Sequence, residues 1–414
     1  MAMQRVVVTG MGAVTPLGVG VQSFWQGLIA GRSGVGRITR FDPHQHRTQI
    51  AAQVSDFNPL AFMEKKDILR TDLFIQYALA ATAEAVQDAS LVLPGRIADR
   101  TGTSIGTAMG GVPKLTDAQS ILSQYGANRA VPYMIPAIIP NMAAGWISMR
   151  YGAKGPNVSP STACAAGSHA IGDAFRLIQR GDADIMLAGG SEAIITPLVL
   201  WGFDSMRALS SRNEAPQYAS RPFDAQRDGF VLGEGAGVVV LEEREYALAR
   251  GARIYAELCG YAMTADAYHP TTPAPDADGA ARCMALTLSD AGFHPCDIDY
   301  ISAHGTSTVL NDARETKAIK QVFGPHISKL AVSSIKSMIG HTLGASGALA
   351  IIASIMALRD QSLPPTINYE NHDPECDLDY IPNTTRRTDA RTALVNAFAF
   401  GGSNAVLALR GVSS

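Results

Sequence analysis

The sequence predicts an α/β protein in which helices cover a mainly parallel β-sheet. Short apolar runs typical of buried strands alternate with amphipathic helical stretches, and glycine-containing turns separate them. The composition agrees, because 47% hydrophobic and 17% charged residues are ordinary for a globular enzyme. A chain of 414 residues can bury a large core and suggests two or three domains.

Charge and cysteine content exclude several classes of protein. The net charge of −3 argues against a nucleic-acid-binding protein. The cysteines are odd in number, scattered and never in a C-x-x-C pair, which argues against a disulfide framework or a zinc site and fits a reducing compartment. They are Cys164, Cys259, Cys283, Cys296 and Cys376. The apolar stretch 343–358 is too short for a membrane span and predicts a buried helix, so we expect a cytoplasmic protein without a membrane or nucleic-acid partner.

The N-terminal residues 5–18 predict a strand that ends in a tight glycine turn. The spacing Gly10-x-Gly12-x-x-Thr15 resembles a dinucleotide-binding fingerprint but lacks the third glycine, and Pro16 is unsuited to the helix that should follow. We therefore expect no nucleotide site here. A short helix over 24–30 and a loop over 31–60 come next.

A basic stretch, Lys65 to Arg70, leads into one Ala-rich amphipathic helix that extends to Gln87. It is either the solvated start of that helix or a docking patch for an acidic partner. The residues alone leave both interpretations open.

Residues 158–181 predict an extended run, a turn and then a helix over 165–180 that Gly181 ends. Cys164 lies at the helix N-terminus, where unpaired backbone N–H groups and the positive dipole lower a thiol pKa. Taken alone, a Cys in an apolar stretch is more often a small core residue than a nucleophile. Further strands and helices are expected before and after this stretch, over 101–111, 143–151, 184–191, 237–242, 300–308, 330–341, 344–358 and 395–409.

Two of the nine histidines stand where a strand gives way to a glycine turn, at His304-Gly305 and Gly340-His341. Such edges present side chains to the ligand cleft of open α/β sheets. A nucleophilic Cys needs a partner for its proton and donors for developing negative charge. Cys164, His304, His341 and Lys336 together therefore form a candidate catalytic set.

Several long motifs resemble those of the β-ketoacyl-acyl-carrier-protein synthases, most closely the type II elongating synthases. They are Gly155-Pro156, Ser161-Thr-Ala-Cys164, Asp182 to Gly190, Arg221 to Gly235, Ala303 to Thr308, Lys336-Ser-x-x-Gly-His341 and Phe400-Gly-Gly402. The resemblance covers nearly the whole chain. It implies a thiolase-like five-layer αβαβα sandwich of two similar halves, 1–255 with the nucleophile and 256–414 with the histidines, paired as a homodimer.

The resemblance also implies an activity and a set of roles. Cys164 would carry the acyl chain as a thioester, and His304 and His341 would assist decarboxylation of malonyl carrier protein. The N–H groups of Cys164 and Phe400 would form the oxyanion hole, beside Ala399 in the gating segment. Lys336 and Glu315 would hold His304, and Thr306 and Thr308 would bind pantetheine. No cofactor of the enzyme's own is implied, because the 4′-phosphopantetheine belongs to acyl carrier protein, the partner.

The chain departs from the family pattern at positions that bear on substrate preference. Ala399 replaces the usual Gly before the gating Phe and is expected to stiffen the gate. Val309 replaces a common Pro, and Met109 stands where relatives line the acyl pocket. Basic residues at the family's docking face match Lys66, Arg70 and Arg207.

The residues present argue against two other interpretations. A non-catalytic subunit resembling a chain-length factor would lack the nucleophilic Cys and usually one or both histidines, all of which this chain keeps. A thiolase would need a second catalytic Cys near the C-terminus, where only Cys376 stands, outside any Gly motif.

Overall fold

The computed structural model describes residues 3–95 and 97–412. Its strands are β1 Val6–Thr15, β2 Gly18–Val19, β3 Gly36–Arg37, β4 Ile50–Ala51, β5 Thr101–Gly106, β6 Asn157–Val158, β7 Ile185–Glu192, β8 Gly235–Glu243, β9 Ala256–Ala265, β10 Tyr300–Ser302, β11 Ala331–Ser333, β12 Ser362–Leu363, β13 Arg386–Arg387, β14 Thr392–Ala399 and β15 Ser403–Gly411.

The α-helices are α1 Val21–Ile29, α2 Lys65–Arg70, α3 Leu73–Asp88, α4 Val112–Tyr125, α5 Met134–Ile138, α6 Met142–Tyr151, α7 Ala166–Gln179, α8 Pro197–Ser205, α9 Arg244–Ala249, α10 Asp278–Ala291, α11 Val309–Phe323, α12 Lys336–Ile339 and α13 Ser346–Asp360. Short 3-10 turns precede α7 (Ala163–Ala165) and α13 (Leu343–Ala345).

The two halves of the chain repeat one sheet topology. In the first half the strand order is β6-β5-β7-β8-β1, and in the second it is β11-β10-β14-β15-β9, with parallel and antiparallel pairings at matching places. Matching strands agree in length: β1 and β9 have 10 residues, β7 and β14 have 8, and β8 and β15 have 9. The antiparallel pairing of β1 with β9 joins the halves at Val6, Val7 and Val8.

The helices complete five layers. α3 packs on the outer face of the first half-sheet and α10 on that of the second, while α7 and α13 contact each other and both half-sheets from between. The stretch Leu343–Asp360 has the length and hydropathy of a membrane span, but 89% of it is buried inside the protein. It is thus a core helix, as the sequence predicts, and the expected thiolase-like five-layer architecture is confirmed.

The expectation of a mainly parallel sheet is wrong. Four pairings in the large sheet are parallel and six are antiparallel, among them β1 with β8 and β14 with β15. Strands such as β8 are buried along almost their whole length because helices cover both faces of the sheet. A continuous apolar run therefore indicates burial on both faces and does not determine strand direction.

Two local expectations are also corrected. Gly10 and Gly12 lie within the continuous strand β1, and a Cβ at either position would fall 2.2 Å from Ala85 O or 1.9 Å from Ala81 O. These glycines permit the close approach of α3 and do not form a turn. The helix expected from Lys65 to Gln87 is divided into α2 and α3, because Asp72 caps the N-terminus of α3 by accepting from Phe74 N.

Candidate active site

Cys164 lies in the 3-10 turn that leads into α7, and its side chain is buried. Ala163, directly before it, has φ +48°, a conformation that a non-glycine residue adopts only where the surroundings enforce it. The thiol lines a cavity of about 560 Å³ with walls from both halves of the chain. The turn thus fixes one nucleophilic side chain at the base of a cavity large enough for a small ligand.

The environment of the Cys164 thiol opposes ionisation. Burial raises the pKa of Cys164 to about 12, although the Lys336 cation and the Phe400 N–H group favour the thiolate. The sequence predicted a lowered pKa from the helix N-terminus, and this expectation is wrong for the free protein because desolvation outweighs the helix end. The Phe400 N–H group thus lies near the sulfur, where an oxyanion donor would be needed.

His304 follows β10 and His341 follows α12, and both side chains line the Cys164 cavity. Their ring centroids are 5.4 Å apart, with the rings nearly perpendicular at 85°. The structure therefore brings together Cys164, His304 and His341, three of the four residues of the candidate catalytic set, from distant segments of the chain.

The hydrogen bonds of His341 determine its tautomer. Leu343 N donates to Nδ1 over 3.3 Å, and Ser346 Oγ lies 3.0 Å from the same nitrogen. A nitrogen that accepts from a backbone N–H carries no proton, so the proton of the neutral ring is on Nε2. His341 can thus donate Nε2–H to a substrate oxygen.

Both imidazoles are neutral at physiological pH. Burial lowers the pKa of His304 well below its usual value, with further contributions from Lys336 and His341. Burial and Lys336 likewise lower the pKa of His341. Neutral rings are donors that remain available as negative charge develops on a bound thioester.

Lys336 and Glu315 hold the backbone of His304 from two sides. Lys336 Nζ donates to His304 O over 2.6 Å, and the Glu315 carboxylate accepts from His304 N at 2.8 Å and from Gly305 N at 2.7 Å. Burial lowers the pKa of Lys336 to about 8, against the opposing effect of Glu315 and Cys164. The contacts match the positioning that the resemblance implies; the catalytic role stays a prediction.

The other residues expected at the site separate into two groups. Thr306 and Thr308 line the cavity with their Oγ1 atoms 2.9 Å apart, and so do Met109, Ala399 and Phe400. Of the three docking candidates, Arg207 lines the cavity, whereas Lys66 and Arg70 lie on α2, outside its walls. Arg70 stacks 4.9 Å above the ring of Tyr133, and Lys66 pairs with Glu64.

Several contacts of the site escaped the sequence analysis. Phe230 packs edge-on against His341 at 5.4 Å, and Asn396 Nδ2 donates to Glu315 over 3.0 Å. Glu192, fully buried, hydrogen-bonds the segment that carries Met109. A charged residue directly after the apolar run of β7 is the one signal that could have indicated Glu192. Nothing in the local sequence marks the other two.

The geometry can be compared with known proteins. The family model of the β-ketoacyl synthase N-terminal domain matches residues 3–247, and that of the C-terminal domain matches residues 255–370. The chain belongs to the β-ketoacyl synthase family. The recognition made from the motifs is thus confirmed.

Full-length relatives agree with the family models. A 3-oxoacyl-[acyl-carrier-protein] synthase 2 from Synechocystis sp. is 53% identical over 407 residues, which is 98% of each chain. One of the same name from Coxiella burnetii is 50% identical over 99% of each chain. A β-ketoacyl synthase structure from Burkholderia phymatum superposes with a TM-score of 0.92 at 38% identity, over 99% of this chain and 100% of that one.

A further similar structure is that of a complex: a type II polyketide acyl carrier protein with its ketosynthase bound to a hexaketide. The matched chain superposes with a TM-score of 0.90 at 38% identity, over 99% of this chain and 100% of that one. Within the described part of the chain, no group of three or more His, Cys, Asp or Glu residues is arranged to hold a metal ion.

Proposed function

We propose that this protein is a β-ketoacyl-acyl-carrier-protein synthase that elongates acyl chains by decarboxylative condensation. The observation that carries the proposal is the cavity in which a buried thiol, a nearby backbone N–H group and two neutral imidazoles meet. The substrates are an acyl thioester and malonyl carrier protein. The products are 3-oxoacyl carrier protein, CO2 and free carrier protein.

The first half-reaction transfers the acyl group to Cys164. The sulfur attacks the thioester carbonyl, and the oxyanion that forms accepts from the N–H groups of Cys164 and Phe400. The bond to the pantetheine sulfur then breaks, and the proton of the thiol ends on that departing sulfur. The 4′-phosphopantetheine is carried in by acyl carrier protein, and its amides would bind to Thr306 and Thr308, which line the cavity.

The second half-reaction generates and uses a carbanion equivalent. The C–C bond of the malonyl group breaks, CO2 leaves, and the electron pair delocalises onto the thioester oxygen. His341 Nε2–H and His304 donate to that oxygen without carrying a positive charge beforehand. The enolate carbon attacks the acyl-Cys164 carbonyl, and the C–S bond breaks so that Cys164 leaves as a thiolate, which takes up a proton from water.

We propose a homodimer built along the free edge of the first half-sheet. Both residues of the edge strand β6 are exposed, and an unpaired strand edge favours pairing with a second chain. Large exposed apolar side chains concentrate between residues 112 and 158: Leu115, Leu122, Tyr125, Tyr133, Ile135, Ile139, Met149 and Val158. Light scattering should give twice the 43.7 kDa chain mass; a monomer at micromolar concentration would contradict this proposal.

The remaining proposals concern partners and location. Lys66, Arg70 and Arg207 would guide an acidic carrier protein to the cavity, with Arg207 at the mouth. The five free cysteines fit a cytoplasmic location. The division into halves at 255/256 coincides with the start of β9.

The decisive experiment measures acylation and condensation in turn. Incubation with an acyl carrier protein thioester should add the mass of one acyl group to Cys164, and malonyl carrier protein should then yield a product two carbons longer. Cys164→Ala should do neither. Absence of acylation in the folded wild-type protein would contradict the enzyme and favour a non-catalytic subunit of chain-length-factor type.

A further inference from the structure

A fully buried carboxylate, Glu192, stands beside the active site without a part in the chemistry above. It is the last residue of β7. Its Oε1 accepts from Thr107 Oγ1 at 3.0 Å and from Met109 N at 3.2 Å. Its Oε2 accepts from Ala108 N at 2.6 Å and from Gly344 N at 3.0 Å.

The pattern of donors requires a carboxylate acceptor. Three of the four partners are backbone N–H groups, which can only donate, and Thr107 Oγ1 itself accepts from Gly110 N over 3.2 Å. Burial raises the pKa of Glu192 to about 7, while the four hydrogen bonds oppose that shift. An amide of the same shape would turn an NH2 group toward backbone N–H groups and lose at least one of these bonds.

The carboxylate joins two turns from different halves of the chain. The 107–109 turn follows β5 and carries Met109, and Gly344 lies in the 3-10 turn before α13, next to Leu343. Met109 and Leu343 both line the Cys164 cavity. Two residues of the cavity wall, one from each half of the chain, are therefore linked through a single side chain.

The two turns approach so closely because residue 344 has no side chain. A Cβ at Gly344 would lie 2.6 Å from Ala108 N and 2.7 Å from Glu192 Oε2, well inside van der Waals contact. The contact between the 107–109 turn and the turn at Gly344 thus depends both on the hydrogen bonds of Glu192 and on the absence of a side chain at Gly344. Each of the two can be changed separately by a substitution.

We propose that Glu192 is a positioning residue that clamps the 107–109 turn to the turn at Gly344 and so sets the acyl-chain selectivity of the cavity. The inference rests on the proposed function, because it concerns the acyl donor that reaches Cys164. Its effect acts through Met109 and Leu343, because Glu192 itself is not among the residues that line the cavity.

The test uses the Cys164 acylation rate for acyl carrier protein donors of increasing chain length. Glu192→Gln keeps the volume and removes an acceptor, and we expect the ratio of best to worst donor rates to fall by about 10-fold, the equivalent of one lost hydrogen bond to a charged group. Gly344→Ala, which forces the same two turns apart sterically, should reproduce the change. A residue with a purely structural role would lower all rates equally and leave the ratio unaltered.

Matched controls keep the outcome interpretable. Glu84 is another largely buried carboxylate that accepts backbone N–H groups, from Ala13 and Val21, but it lies away from the cavity. Glu84→Gln should lower stability and keep the ratio. If Glu192→Gln does not fold, Thr107→Val removes one of the four donors and should still lower the ratio, whereas Thr107→Ser should retain it.

The results separate two failures. A wild-type protein that takes no acyl group on Cys164 contradicts the proposed function. If the wild-type protein is acylated, the clamp alone is overturned by either of two results. One is an unchanged ratio of best to worst donor rates in both folded Glu192→Gln and folded Gly344→Ala. The other is an unchanged ratio in Thr107→Val. The same ratio change in Glu84→Gln would also overturn it.

Discussion

At the scale of single residues, the Cys164 sulfur and the two imidazoles should act in different half-reactions. Acyl transfer needs the nucleophile, whereas decarboxylation needs donors to the thioester oxygen and no protein nucleophile. Cys164→Ala should therefore abolish acylation yet release CO2 from malonyl carrier protein. His304→Ala and His341→Ala should each lose CO2 release by at least ~100-fold, the usual effect of removing one oxyanion donor.

The two losses should not add in the double variant, because both imidazoles act on one oxygen. Lys336→Ala should impair the same step through His304, whose carbonyl it holds at 2.6 Å, and affect acylation less. Labelled CO2 release by the four single variants measures this. A folded Cys164→Ala protein as inactive as the histidine variants would show that the division of tasks is wrong.

The buried histidines also make stability dependent on pH. Their folded pKa values are lowered, so below about pH 6.5, the ordinary value of His, the unfolded chain binds more protons than the folded one. The free energy of unfolding should accordingly fall on acidification below pH 6.5. His341→Gln, which cannot titrate, should reduce that slope by up to about 1.4 kcal/mol per pH unit.

Denaturant unfolding between pH 5 and 7 at constant protein concentration provides the measurement. Phe230→Leu is the matched control, since Phe230 packs on His341 without titrating. It should lower stability equally at each pH. An unchanged slope in His341→Gln would mean that this ring has the same pKa in the folded and unfolded chains.

Met109 offers a test of the acyl side of the cavity. The thioether is flexible and can yield to a long chain, whereas a rigid ring in the same place cannot. Met109→Phe should suppress acylation of Cys164 by long donors and spare short ones, as measured by the mass of the acyl-enzyme. Equal loss at all lengths would show that Met109 lies outside the path of the chain.

At the scale of elements, the last residue of β14 and the turn that leads to β15 differ in conformational freedom. Ala399 has φ −117° and ψ 159°, an extended conformation without strain, while Gly401 and Gly402 have φ +80° and +70°. The change from the usual Gly to Ala restricts the residue before Phe400 and leaves the two glycines free. We expect the motion of the gate to begin after Phe400.

Ala399→Gly should loosen this segment and destabilise the protein by roughly 0.5–1 kcal/mol, the usual difference between the two residues in a strand. Hydrogen exchange in a peptide spanning 398–403 should become faster. Ala397→Gly, a buried position in the same strand, is the control and should lower stability without faster exchange at 400–402. Unchanged exchange in Ala399→Gly would mean that Ala399 does not limit the gate.

The sequence predicted individual elements well where a periodic pattern was long. The helix expected over 165–180 is α7, Ala166–Gln179, and the strand expected over 184–191 is β7, Ile185–Glu192. It could not predict that Gly10 and Gly12 lie against the backbone of α3, because the contacting residues are 69 or more positions away along the chain. The same limit concealed the contacts of Glu192 and Asn396.

At the scale of the whole molecule, the net charge is only −3, yet we propose that basic residues form a local docking face for the carrier protein. Reversing Lys66, Arg70 or Arg207 should raise the KM for carrier-bound substrate several-fold, because the exposed charges steer an acidic partner. The effect should shrink toward roughly 1 M salt, where the Debye length is about 3 Å. Steady-state kinetics at several ionic strengths measure it.

Arg180 supplies the control for these reversals. It is exposed and follows the C-terminal end of α7, the end opposite to Cys164. Arg180→Glu should leave KM unchanged. Unchanged KM in all three docking variants would contradict the docking face, including Arg207 at the mouth of the cavity.

The turns before α7 and α13 match in backbone conformation but differ in chemistry. Ala163 and Leu343 have φ values of +48° and +44°, and the next residue is Cys164 in one turn and Gly344 in the other. Because a Cβ at Gly344 would lie 2.6 Å from Ala108 N, the second turn cannot accept a side chain unless the 107–109 turn moves. A single substitution therefore cannot give the second turn a thiol of its own.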